Sequence, residues 1–202
     1  MLTKLPFVTI TVLLCLSVLS VRGYANDLTV PLDLQAKLFL KALTYDKNLK
    51  KQDDNHLTIG VLHFPGQPQS KECATGFYEI LEMFKDKTIS GLGIQTVLYE
   101  YDTPELFRKM ISREGVDVVY IAAGPKARIS EVIRITQSEK VFSCTGVVDY
   151  VTESGVSMSV GVLNKKPRIY LNLSSAKAEG ADLGAQFLRI TKIVESEDKQ
   201  KN

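Results

Sequence analysis

Residues 156 to 184 read VSMSVGVLNKKPRIYLNLSSAKAEGADLG. In the first part, Val156, Met158, Val160 and Val162 alternate with Ser157, Ser159 and Gly161. The polar run NKKP turns the chain, and Ile169, Leu171 and Leu173 then alternate with Arg168, Tyr170 and Asn172. Two period-two runs about a short polar turn predict an antiparallel hairpin. Beyond it, Ser174 or Ser175 is placed to cap a short helix and Gly180 to end it. Asp182 is placed to cap a last helix, with Leu183, Phe187, Ile190 and Val194 as its apolar stripe. Asn172 falls on the polar phase, and its side chain is expected to bond to the backbone of the following turn.

Upstream of the hairpin the pattern is different. Residues 31–45 carry a helical stripe of Leu34, Leu38 and Ala42, widened by Phe39 and Leu43, with Pro31 suited to the first turn. A polar loop leads to an apolar strand over 57–64, and a helix over 71–86 follows with Cys73, Phe77, Ile80 and Phe84 on one stripe. Strands are expected over 93–101, 116–123 and 140–145, and helices over 102–112 and 124–137. The helix from 102 has strong start grammar: Asp102 or Thr103 as cap, Pro104 in the first turn, and Glu105 three after Asp102. Gly91 and Gly93 precede a strand instead of following one, so they read as a turn and not as a dinucleotide loop. Strand and helix in alternation imply parallel strands joined by right-handed crossovers. The fold class is therefore α/β: a single-domain three-layer sandwich with a mostly parallel sheet, a C-terminal antiparallel hairpin and flanking helices.

The N-terminus has a charged Lys4, an apolar run from Leu5 to Leu19, and a small-residue exit near Ala25. This reads as a secretory signal peptide over residues 1–25, leaving an α/β domain over 26–195 and a solvated tail over 196–202. The expected location is the periplasm. Removing the leader takes away Lys4 and Arg22, so the 23 acidic residues face an equal number of basic ones. A neutral chain has no electrostatic footprint for nucleic acid or an anionic membrane, and no later apolar run is long enough for direct membrane insertion.

The C-terminal segment resembles the signature of the YfiR-like periplasmic family: a glycine before an apolar strand, a polar turn, a strand ending in an apolar-Asn-Leu step, a small-residue helix and a leucine-rich helix. The matching positions are Gly155, Asn172, Leu173, Ala176, Leu183 and Leu188. The opening helix is similar too, with Lys37 and Phe39 in register, and the resemblance spans residues 32 to 195. The chain departs from the family in having no tryptophan, and no close cysteine pair at the start of the hairpin. The resemblance implies a non-enzymatic regulator without cofactor. It would bind the periplasmic domain of an inner-membrane diguanylate cyclase, or a sensor kinase, and form a homodimer. Phe39 and Tyr45 on the opening helix are candidates for the contact surface.

Several residues invite other chemistry. Cys73 and Cys144 would lie in an oxidising compartment, where a structural or redox disulfide is permitted, although Cys73 also falls on an apolar stripe where thiols are usually inert packing. His63 and His56 lack any metal-ligand spacing. The carboxyl ends of the parallel strands bring His63, Phe64, Tyr99, Ala123, Gly124 and Ser143 to the rim where α/β sheets hold ligands, which makes a periplasmic small-solute-binding module the alternative function. The sequon at Asn172 ends a strand and is discounted as a glycosylation site.

Overall fold

The computed structural model describes residues 30–49 and 55–194. The expected leader and the tail from residue 196 lie outside them. α1 (Leu32–Leu43) precedes β1 (His56–His63), α2 (Pro68–Glu82), β2 (Thr88–Ile89) and β3 (Leu92–Glu100). α3 (Pro104–Glu114), β4 (Val118–Ile121), α4 (Lys126–Glu139), β5 (Phe142–Thr145) and α5 (Val148–Glu153) come next. The chain continues through β6 (Met158–Leu163), β7 (Lys166–Asn172), α6 (Leu173–Ala178), α7 (Ala185–Ile190) and β8 (Lys192–Val194).

The strands form one sheet in the order β2-β3-β1-β4-β5-β6-β7-β8. β3, β1, β4, β5 and β6 are mutually parallel. β7 runs antiparallel to β6, as expected of the hairpin, with Val160 opposite Ile169. All of β1 after His56 is buried, because helices cover it on both faces. On one face Leu57, Ile59 and Val61 pack with Phe39 of α1 and Phe77 of α2; on the other Leu62 packs with Phe107 of α3 and Ile129 of α4. These are the three layers anticipated from the alternation of elements. Among the described residues no helix is long and apolar enough to cross a membrane.

The start of α3 follows its sequence grammar. Thr103 caps by accepting from the Leu106 amide at 3.3 Å, Pro104 opens the helix, and Gly115 closes it at φ 59°. Two short elements carry no periodicity of their own. β2 pairs antiparallel with β3 through a tight turn at Ser90 and Gly91, both with positive φ. α5 is a six-residue crossover between β5 and β6.

The C-terminus corrects one expectation. The last helix does not run from Asp182 to Val194. α7 spans only Ala185–Ile190 with Gly184 at its cap position, and Thr191 is extended. The chain then adds β8 parallel to β7, pairing Leu171 with Ile193 and Asn172 with Val194. The backbone groups along the open edge of β7 need partners, and the β-branched run from Ile190 to Val194 supplies them better as a strand than as another helical turn. Asp182 is engaged elsewhere: its N–H donates to the Asp46 carboxylate at 3.0 Å.

Asn172 lies fully buried where β7 meets α6. It is the cap that the sequence assigned to one of the two serines. Its Oδ1 accepts from the Ser175 amide at 3.0 Å, and its Nδ2 donates to the Val151 carbonyl at 3.3 Å. Its expected tie to the following turn is thus made, and a second bond reaches α5. Burial excludes glycan attachment in the folded chain. Asn172→Ala removes a cap and leaves buried backbone groups unpaired, which is expected to cost about 2 kcal/mol or more, read as a lower urea midpoint.

Candidate functional site

A crevice opens where β1 and β4 end. The chain leaves β1 through α2 to reach β3 on one side, and then crosses back through α3 to β4 on the other. At that switch the connections diverge and leave a gap at the carboxyl ends of the strands. Gln67, Gln69 and Ser70 line it from the start of α2, Ala123, Gly124 and Pro125 from the end of β4, and Tyr150 from α5. It encloses about 70 Å³.

Its walls are tightly tied. The Tyr150 hydroxyl accepts from the Gly124 N–H at 2.9 Å and donates to the Gly124 carbonyl at 2.7 Å. A Cβ on Gly124 would lie 2.1 Å from the Phe64 ring, so only glycine allows this approach. The Ser70 hydroxyl accepts from the Phe64 N–H at 3.1 Å, which leaves its own hydrogen for a guest. The N-termini of α2 and α4 both face this region, and their first-turn N–H groups favour a guest with acceptor or anionic character.

A second, open groove shares Gln67 and is lined by Phe64, Gly66, Pro68, Lys71 and Glu100. His63 lies beside it, only 4% exposed, with Nδ1 3.7 Å from Glu100 Oε2. Burial pushes the His63 pKa down, Glu100 pulls it up, and Lys71 pushes it down again. The net lowering keeps the imidazole neutral at neutral pH.

The structure brings Ala123 and Gly124 to the crevice and Phe64 to its edge and the adjoining groove. Tyr99 lies half-buried on β3 against Phe107, away from the opening. Ser143 is not at the rim. It sits near the start of β5, where its N–H donates to Glu179. β5 has only four residues, and which of them reach the carboxyl end depends on a register that the sequence does not display. Gln67, Gln69, Ser70 and Tyr150 were missed. The signal was Pro68, which reads as a strand breaker but stands in the first turn of α2.

Cys73 and Cys144 are free and buried. Cys73 Sγ is 3.9 Å from the Tyr120 hydroxyl, which donates to Gln35 Oε1 at 3.2 Å, while Tyr120 stacks on Phe77. Burial raises the Cys73 thiol pKa, and burial with the nearby Glu179 raises that of Cys144 well above its ordinary value. Neither is an activated nucleophile. No group of three or more potential ligands able to hold a metal occurs among the described residues.

The other residues that carry the resemblance differ in their surroundings. Lys37 pairs with Asp33 at 3.3 Å on the exposed side of α1. Gly155 turns the chain at φ 79°, Ala176 is fully buried, and Leu173, Leu183 and Leu188 pack against the core. Phe39 offers no outer face: it is buried against Phe77, with ring centroids 6.2 Å apart. Tyr45 is half-buried and stacked on Phe187 at 5.3 Å. Phe39 is therefore unavailable to a partner, whereas Tyr45 keeps part of its surface exposed.

Neither a family model nor a curated protein matches the sequence. Solved structures do match. An ABC domain in complex with L-Trp from Streptococcus pneumonia is 16% identical, with TM-score 0.54 over 81% of this chain and 62% of that one. A conserved domain protein from Vibrio cholerae is 17% identical, with TM-score 0.55 over 81% and 60%. A ligand-free substrate-binding protein with adhesive properties from Clostridium difficile is 16% identical, with TM-score 0.49 over 69% and 55%. At these identities the likeness to the first two is one of fold, an α/β architecture. The chain spans less than two thirds of the length of each.

Two outcomes test the site's construction. Gly124→Ala is expected to displace the Phe64 ring and cost about 1–3 kcal/mol in unfolding free energy, and adding Phe64→Leu should recover part of that loss in a double-mutant cycle. A thiol reagent at pH 8 is expected to label neither Cys73 nor Cys144 within minutes in the native protein, and both in denaturant. Fast native labelling of Cys73 would contradict its inert role.

Proposed function

We propose that this chain is an exported, non-enzymatic binding module that takes the polar head group of a small carboxylate-bearing solute at the β1–β4 switch. The observation that carries the reading is the crevice itself. It lies at the topological switch point, has a spare Ser70 hydroxyl and the Gln67 and Gln69 amides on its walls, and opens over two helix starts. The L-tryptophan bound by the pneumococcal neighbour supports a binding use of this architecture. The leader-like N-terminus supports a periplasmic location.

A small-molecule pocket usually encloses about 300–1,000 Å³, and the crevice offers about 70 Å³. It therefore takes a head group, and the body of the solute would project into the adjoining groove between Lys71 and Glu100 or against another surface.

A second reading is the one implied by the YfiR-like resemblance: masking of the periplasmic domain of a membrane-bound diguanylate cyclase or sensor kinase, by a homodimer. Its support is the sheet edge at β8, where Ile193 and, at the end of α7 just before it, Ile190 are about half exposed. An open strand with exposed apolar side chains is a natural place for a partner to add.

The experiment is a thermal-shift titration of residues 26–202 with the L-amino acids, acetate, succinate and citrate, beside a pull-down of membrane sensor proteins. At least one carboxylate is expected to raise Tm saturably, with Ser70→Ala weakening binding about 10–150-fold, the loss of one hydrogen bond to a charged group. No shift with any acid, together with recovery of a cyclase or kinase, would replace the solute reading by the partner reading.

A further inference from the structure

The buried side chain of Glu179 belongs to no part of the crevice, yet it joins more elements than any residue lining it. It is 2% exposed and stands just beyond α6, near the start of β5, at the opposite end of the parallel strands from the crevice. Its Oε1 is 2.6 Å from Thr136 Oγ1 of α4. Its Oε2 accepts from the Ser143 N–H of β5 at 2.8 Å and from the Ser157 hydroxyl just before β6.

The Thr136 hydroxyl has one hydrogen but two oxygen neighbours, the Ile133 carbonyl at 3.0 Å and Glu179 Oε1 at 2.6 Å. A hydroxyl donates once. If Thr136 donates to Ile133, as a helical threonine does, the contact to Glu179 needs a proton on the carboxyl. With that proton every close contact in the array has one donor and one acceptor. Without it, Thr136 turns its hydrogen from Ile133 to Glu179, and a full charge stays in the interior, held by the Thr136, Ser143 and Ser157 donors with no cation among the described residues bonded to it. The groups facing the carboxyl include no bonded cation among the described residues. From α4 they are Thr136 and, further out, Lys140, whose ammonium donates to the Ala178 carbonyl at 2.8 Å; from β5 they are Ser143 and the Cys144 thiol; from the start of β6, Ser157.

We propose that Glu179 is a proton-operated latch: protonated, it locks α6 onto α4, β5 and the start of β6, and deprotonated, it loosens this half of the domain, including the α5 crossover that carries Tyr150 to the crevice. α5 spans the distance between the two sites. At its far end the Ser175 hydroxyl donates to the Gly155 carbonyl, Asn172 Nδ2 donates to the Val151 carbonyl, and the Val156 N–H donates to the Tyr150 carbonyl at 3.0 Å. At its near end the Tyr150 hydroxyl holds Gly124. Burial pushes the Glu179 carboxyl up to about 7, against donated bonds from Ser157, Ser143 and, when its hydroxyl turns from Ile133 to the carboxylate, Thr136, which pull it down. The latch would therefore operate close to neutral pH.

The sign is fixed by linkage. A carboxyl whose folded pKa is raised stabilises the fold fully below its unfolded value near 4.5, and that contribution is lost as pH rises to about 7. Urea midpoints of the wild-type chain and of Glu179→Gln, measured from pH 4.5 to 8.5, form the first test. The amide can donate to Thr136 and accept from Ser143 and Ser157, so it copies the protonated acid. The wild type is expected to lose midpoint relative to the variant between about pH 5 and 7.5 and to run parallel to it above. Parallel curves throughout would overturn the proposal. The second test needs no variant: hydrogen exchange of the wild-type chain at pH 5.5 and 8.5, corrected for intrinsic rates. Residues 148–157 and 173–180 are expected to lose protection at least several-fold at the higher pH while β1 keeps its own. Equal protection at both pH values would overturn it as well.

Discussion

The fold depends on the two-sided burial of β1. A strand with an apolar residue at nearly every inner position cannot leave either face to water, so both faces must be covered by helices. Right-handed crossovers meet that demand only if successive connections from β1 and β3 fall on opposite faces, and α2 and α3 do. The same constraint produces the switch between β1 and β4, and hence the gap in which Ser70, Gly124 and Tyr150 meet. The crevice is a consequence of how the core is closed, and the side chains around it then refine its chemistry.

The C-terminal half solves a different problem. Its hairpin and short helices have too few residues to form a core of their own, and they are held to the parallel half by buried polar groups. Asn172 ties β7 and α6 to α5, and Glu179 ties the end of α6 to α4, β5 and β6. Such groups give little net energy when satisfied and cost a great deal when not, so they specify one docking geometry more than they add stability. This explains why the densest local grammar in the sequence surrounds Asn172 while the crevice lies elsewhere. The grammar builds the frame on which α5 is stretched.

Much of this was legible beforehand where the signal is local. The alternation of Met158, Val160, Ile169 and Leu171 pointed to the hairpin, and Thr103 with Pro104 to the start of α3. The stripe Leu183, Phe187, Ile190, Val194 misled because helical spacing over so short a span is also met by one helical turn and a strand. The open edge of β7, a tertiary feature, decided between them. Ser143 was misplaced for a similar reason: in a strand of only four residues, two positions separate it from Thr145 at the ligand end. Glu179 carried no signal at all. A glutamate before a glycine reads as a solvated helix end, and only the packing of α4, β5 and β6 around it makes it interior.

The scale of the crevice bears on how the two functional readings relate. An enclosure of about 70 Å³ holds a carboxylate and little more, so a solute seated there keeps most of its surface in water. The similar solved structures are longer chains, with more than a third of their length unmatched by this one. A module that grips only a head group gains affinity when a second surface covers the rest of the ligand. A partner supplying that cover would bind the loaded module more tightly than the empty one, and by reciprocity the solute would bind more tightly in the partner's presence. Solute capture and partner recognition would then be two measurements of one coupling free energy. The weak enclosure would be what makes the module responsive to both.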